Sequence, residues 1–77
     1  MINRRNRLVL ASLEDEAGLR CVDIYRTRDG DVLWDEWRRD PEDPSGWHAT
    51  GRRAGAAFDD ETSAREAALA AIEWLIG

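Results

Sequence analysis

The chain has no lysine, one cysteine, one histidine and two prolines, and each scarcity removes a class of structure. A single cysteine, Cys21, excludes an internal disulfide, and a single histidine, His48, leaves a structural zinc set incomplete. No apolar run approaches the roughly 20 residues that a membrane span requires. With no paired cysteines, secretion signal or hydrophobic N-terminal run, the expected setting is cytoplasmic, with no membrane partner. All eleven basic residues are arginine, set against sixteen acids for a net charge of −5. The Ala, Asp and Arg bias matches a GC-rich coding background. Net acidity argues against non-specific binding to nucleic acid or anionic lipid, which only local arginine clusters could override.

What is present is organised around the last twenty residues, Phe58 to Gly77. Ala64, Ala67, Ala68, Ala71, Ile72 and Leu75 follow the spacing of one buried helical face. Leu69, Ile76 and Trp74 widen its shoulders, and Glu66 and Glu73 point to water. Ser63-Ala64-Arg65-Glu66 fits a capping box, with Thr62, Asp60 and Asp59 as competing caps. Asp59, Asp60 and Glu61 supply the negative charge that a helix N-terminus favours, and Gly77 reads as a stop. An alanine-rich inner face lets this helix lie close to a sheet. Seventy-seven residues make one domain, whose single core yields only ~3–5 kcal/mol unless packing is tight or the chain self-associates.

Before the helix the pattern is extended. Met1 to Arg7 is polar and basic and reads as a frayed terminus. Leu8 to Leu13 is ambiguous. Leu8-Val9-Leu10 suits a strand, but Leu10, Leu13 and Ala17 have helical spacing, and a short helix or turn is the preferred reading. Glu14 to Gly18 is an acidic loop. Leu19 to Arg28 alternates as a strand, with Val22 and Ile24 toward the helix. Asp29-Gly30 marks a hairpin, and Val32 to Arg39 returns. Both faces of that second strand carry tryptophan: Val32, Trp34 and Glu36 lie on one, Leu33, Asp35 and Trp37 on the other. Asp40 to Gly46 is a loop broken by two prolines. Trp47 to Thr50 begins a further strand that continues, irregular or bulged, to Phe58, which anchors the start of the helix. The predicted fold class is α+β: an antiparallel meander of three or four strands with one C-terminal helix packed on one face.

The residues able to carry chemistry are few. Cys21 and His48 would be needed together for a thiol site, but a lone strand cysteine is ordinarily a small buried hydrophobe, and no catalysis is expected. Asp29-Gly30-Asp31 lacks the further ligands of a calcium loop. No metal or cofactor is expected. The arginine–aromatic set is the most informative feature. Tyr25, Trp37, Arg38, Arg39, Trp47, Arg52 and Arg53 are expected on the sheet face opposite the helix, beside Arg26, Arg28 and His48. Such a face suits a protein interface, suits bases and phosphates, or is neutralised internally by Asp35, Asp40, Glu42 and Asp43.

Cys21-Val22-Asp23-Ile24-Tyr25, Arg28-Asp29-Gly30, Glu36-Trp37-Arg38-Arg39-Asp40-Pro41-Glu42-Asp43 and Gly46-Trp47 resemble small uncharacterised bacterial proteins. In these a three-stranded meander precedes an alanine-rich helix ending near Trp-Leu or Trp-Ile. The resemblance covers roughly residues 19 to 76 and implies the fold but no activity. Thr62-Ser63-Ala64-Arg65-Glu66-Ala67 is similar to the helix opening of HicB-like antitoxins. The chain lacks their Pro-Asp-Leu-Pro-Gly turn and the DNA-binding segment behind it, so the likeness is one of fold logic. Double-stranded-RNA-binding domains also end on a helix, but theirs is lysine-rich where this one opens with Asp59, Asp60 and Glu61. The expected function is a non-catalytic interaction or accessory module whose partner is a protein or a second copy of the chain. The alternative is nucleic acid on the same face, and the remotest is a Cys/His enzyme.

Overall fold

The computed structural model describes residues 7–75. Four strands and one helix follow in chain order: β1 (Arg7–Glu14), β2 (Arg20–Thr27), β3 (Val32–Arg38), β4 (His48–Arg53) and α1 (Glu61–Ala71). The strands form one antiparallel sheet in the order β1-β2-β3-β4, a meander. The α+β arrangement read from the sequence is the observed one, with four strands. The expected frayed terminus at residues 1–6 and the roles given to Ile76 and Gly77 lie outside the described residues.

Two turns set the register. Between β1 and β2, the Asp15 carboxylate accepts the Leu19 amide at 2.9 Å and the Arg20 amide at 3.2 Å. Between β2 and β3, Thr27 N–H donates to Asp31 O at 2.8 Å and Gly30 N–H to Thr27 O at 3.0 Å. The hairpin loop is therefore Arg28-Asp29-Gly30, and Gly30 takes φ +92°, the left-handed position that such three-residue loops reserve for glycine.

Alternation then sorts the side chains. Val22, Ile24, Val32 and Trp34 project to one face and are buried with Ala64, Ala68, Ile72 and Leu75. The two alanines are fully buried, and their small side chains let α1 approach the sheet closely. The two faces of β3, each with a tryptophan, now separate: Val32, Trp34 and Glu36 lie under α1 and are buried, while Leu33, Asp35 and Trp37 on the other face are half-buried. Phe58 leads into the helix by exchanging backbone hydrogen bonds with Val32 at 2.8 and 2.9 Å.

Three local expectations are corrected. Leu8 to Leu13 is strand, not helix or turn, and Arg7 is the first residue of β1. The register slips by one residue between Val9 and Ala11, so Leu10 is a bulge residue that packs on the core together with Ala11 and Leu13. A bulge adds one position to the period of two, which gives Leu10 and Leu13 a helix-like spacing within a strand. At the helix start the cap is Asp60, whose carboxylate accepts the Ser63 amide at 2.7 Å, so Ser63 is a capped position rather than the cap. At its end the helix stops at Ala71, and Ile72 is already extended, with φ −106° and ψ 109°. The chain gives up its last helical turn where Trp74 bends down to the sheet. Ile72 and Leu75 still reach the core, whereas Ala71 is exposed.

Ile72 is 1% exposed although it lies beyond the helix. Ile72→Ala is expected to lower stability by about 2–4 kcal/mol, measured by urea unfolding. A loss below ~1 kcal/mol would remove the post-helical segment from the core.

Candidate functional site

The end of the sheet beyond the C-terminus of α1 is built around Glu36. Asp35 pairs with Arg53 and Trp37 with Ala49, so three residues, Thr50-Gly51-Arg52, stand opposite Glu36 alone. Gly51 accommodates this expansion at φ +96°, and Thr50 and Arg52 both converge on the carboxylate. Glu36 is 3% exposed and is fully surrounded by donors. Arg52 donates from Nε at 2.9 Å and Nη2 at 2.7 Å, Thr50 Oγ1 at 2.6 Å, and Trp74 Nε1 at 2.6 Å. The same guanidinium reaches Glu73 at 2.7 Å on its outer side. Burial alone would push the Glu36 carboxyl up, but the hydrogen bonds from Arg52, Thr50 and Trp74 outweigh it and bring the pKa down to about 2. Donating to the Glu36 carboxylate, and then to that of Glu73, pushes the Arg52 guanidinium upward in turn.

Beside this cluster lies an open groove of about 460 Å³, lined by Arg20, Arg38, Arg39 and Arg52, by Leu19, Pro41 and Thr50, and by the carboxylates of Glu36, Asp40 and Glu73. Arg39 Nε donates to Gly18 O at 2.9 Å, and its guanidinium lies 4.8 Å from the centroid of the Trp47 ring, forming a cation–π lip. Arg38 is the cross-strand partner of both Arg20 and His48. The His48 ring is turned to the Ser45 hydroxyl at 2.9 Å and to Asp43 at 3.5 Å.

The seven residues expected to share one face are thus divided. Arg38, Arg39 and Arg52 line the groove, with Trp47 stacked on Arg39. Tyr25, Trp37 and Arg53 belong to the opposite face by register. There Trp37 Nε1 donates to Asp35 at 2.8 Å. Arg7 donates to the same carboxylate at 3.0 Å and lies 3.3 Å from the Tyr25 ring centroid. Asp23 faces Asp35 directly across the β2–β3 ladder and is 1% exposed, accepting from Ser12 Oγ at 2.7 Å and Cys21 Sγ at 3.3 Å.

Sequence reasoning overlooked the two buried carboxylates. The signal was present: Glu36 alternates with Val32 and Trp34, and Asp23 lies between Val22 and Ile24. Cys21 and His48 do not form a pair, since Cys21 shares its face with Asp23 and Trp37 while His48 shares the other with Arg38. Burial, then the charge and hydrogen bonding of Asp23, push the Cys21 thiol up to about 12. Among the described residues no cluster of three or more His, Cys, Asp or Glu could hold a metal ion, and no helix is long and apolar enough to cross a membrane. Comparison with protein-family models, curated proteins and solved structures finds no match to this chain.

Two measurements follow from these environments. A carboxyl whose folded pKa is depressed stabilises the fold above its unfolded value, near 4.5, and loses that contribution as pH falls toward about 2. Glu36 should therefore contribute on the order of 3 kcal/mol at neutral pH. Glu36→Gln is expected to be less stable than the parent at pH 7 and to converge with it near pH 2, read by urea unfolding at each pH. A pH-independent difference would show that packing, not charge, is lost. Folded Cys21 should resist iodoacetamide at pH 8 and react readily in urea, followed by mass spectrometry; rapid labelling of the native protein would contradict its burial.

Proposed function

We propose that this chain is a non-catalytic protein-binding module that takes an acidic segment of a partner protein in the groove at the end of α1. The observation that carries the reading is the Arg39–Trp47 stack at the rim of a cleft lined by four arginines against three carboxylates, two of which, Glu36 and Glu73, are already engaged by Arg52. Arginine and tryptophan are the side chains that most often supply binding energy at interfaces. One wall of the cleft is held rigid by the Glu36–Arg52 network, so little ordering has to accompany binding. The groove supersedes the sheet face opposite the helix as the preferred surface, because on that face Asp35 already engages Arg7 and Trp37. A free, buried Cys21 suits a reducing, cytoplasmic setting.

A long polyanion is disfavoured by the same geometry. The arginines do not form a stripe: Arg53 belongs to the face opposite the groove, and Arg26 caps the hairpin at the far end, donating to Gly30 O at 2.9 Å. With a net charge of −5, the remaining surface repels an extended nucleic acid.

The test is a titration with a decapeptide rich in Asp and Glu, followed by tryptophan fluorescence at two salt concentrations. The acidic peptide should perturb the signal and weaken with salt, and Arg39→Ala and Trp47→Ala should each reduce affinity at least about tenfold, a hot-spot loss. Tighter binding of a single-stranded oligonucleotide would replace the reading with nucleic-acid recognition. A concentration-dependent dimer in sedimentation, lost in Trp47→Ala and with no peptide binding, would replace it with self-association.

A further inference from the structure

Arg20 and Arg38 sit directly opposite each other on β2 and β3. The phase of the ladder sets how near they come. Arg39 N–H donates to Leu19 O and Thr27 N–H to Asp31 O, so the hydrogen-bonded pairs fall at odd-numbered residues. Arg20–Arg38 is then a non-hydrogen-bonded pair, the closer of the two kinds, with Cβ atoms roughly 5 Å apart. Like charges at such positions repel, and sheets ordinarily avoid them.

Both side chains are exposed. Among the described residues no carboxylate forms an ion pair with either side chain, although the charge of Arg20 is felt by Asp15 and the groove lining also holds Glu36, Asp40 and Glu73. The Asp15 carboxylate is bonded to the Leu19 and Arg20 amides, and Asp40 accepts the Glu42 amide at 2.9 Å. Glu36 and Glu73 are both engaged by Arg52. His48 continues the same cross-strand row on the far side of Arg38, its ring turned to Ser45 and Asp43. Two arginines therefore face each other across the ladder in the groove, and among the described residues neither is held in an ion pair.

We infer that the Arg20–Arg38 pair is a phosphate-monoester subsite, and that the acidic segment bound in the groove carries a phosphorylated side chain. The inference rests on the groove reading given under Proposed function and deepens it. The charge count selects the ligand. A carboxylate brings one negative charge and is saturated by one guanidinium fork, leaving the second arginine uncompensated. A phosphate monoester brings a charge near −2 and three acceptor oxygens, enough for a fork from each side. Paired arginines presenting planar forks are how proteins recognise such groups.

The experiment uses phenyl phosphate and benzoate as probes of equal ring size, titrated into 15N-labelled protein while the amide and arginine Nε–H resonances are followed. Phenyl phosphate is expected to shift the Arg20 and Arg38 signals saturably at pH 7.5, at least tenfold more tightly than benzoate. At pH 5.0 the monoester loses most of its second charge, since its second pKa is about 6, and affinity should fall severalfold. Arg20→Gln and Arg38→Gln should each abolish at least nine-tenths of the binding without lowering the thermal midpoint, because each also removes a like-charge contact. Arg28→Gln, in the hairpin loop at the far end of the sheet, should leave binding unchanged. Equal affinity for the two probes, or binding that survives both substitutions, overturns the subsite. If the acidic decapeptide binds while phenyl phosphate does not, the subsite falls and the groove reading stands; if neither binds, both fall.

Discussion

The structure depends on one buried carboxylate. Glu36 is placed by β3, satisfied by Thr50 and Arg52 from β4, and capped by Trp74 from beyond α1. Burying a charge costs several kcal/mol unless its partners are well placed, and here each partner comes from a segment that could otherwise drift. The carboxylate therefore ties the end of the helix to the end of the sheet. The indole of Trp74 reaches the carboxylate from the segment beyond Ala71, where the helix has already ended. Networks of this kind act as units, so the wall of the groove and the position of the terminal segment are one property of the molecule.

The four tryptophans fill four different roles, which composition alone could not separate. Trp34 is a core filler at 5% exposure. Trp74 and Trp37 use the indole N–H to satisfy carboxylates on opposite sides of the sheet. Trp47 offers its ring face to Arg39. On the face opposite the helix, both carboxylates are balanced by donors from β1, Ser12 for Asp23 and Arg7 for Asp35. The small domain thereby holds a core of few large side chains in place with polar contacts at its edges.

The meander and the covering helix were legible because alternation in Val22–Ile24 and Val32–Trp34 and the i, i+4 run Ala64–Ala68–Ile72 are strong local signals. What was not legible depended on geometry that spacing disguises. The bulge at Leu10 gives a strand the spacing of a helix, and the expansion at Thr50-Gly51-Arg52 turns Arg52 from a presumed surface charge into the partner of a buried one. The candidate set of Tyr25, Trp37, Arg38, Arg39, Trp47, Arg52 and Arg53 was chosen by residue type for an arginine–aromatic surface. Its division between two faces followed from register, which no single strand reveals. The Arg20–Arg38 opposition is of the same kind: eighteen positions separate the two residues in sequence, and only the ladder brings them together.

The irregular β4 has a further effect on how the molecule can be approached. All six of its residues are exposed, and as the last strand in the sheet it would otherwise be a template for strand addition. The extra residues around Gly51 break the even spacing of its outward N–H and C=O groups, and Arg52 and Arg53 set charge beside that break. Such features protect a sheet margin from pairing with foreign chains. An incoming segment at this end of the domain finds no continuous row of main-chain partners to copy, so any selectivity must be read through side chains, in the guanidinium planes and the indole.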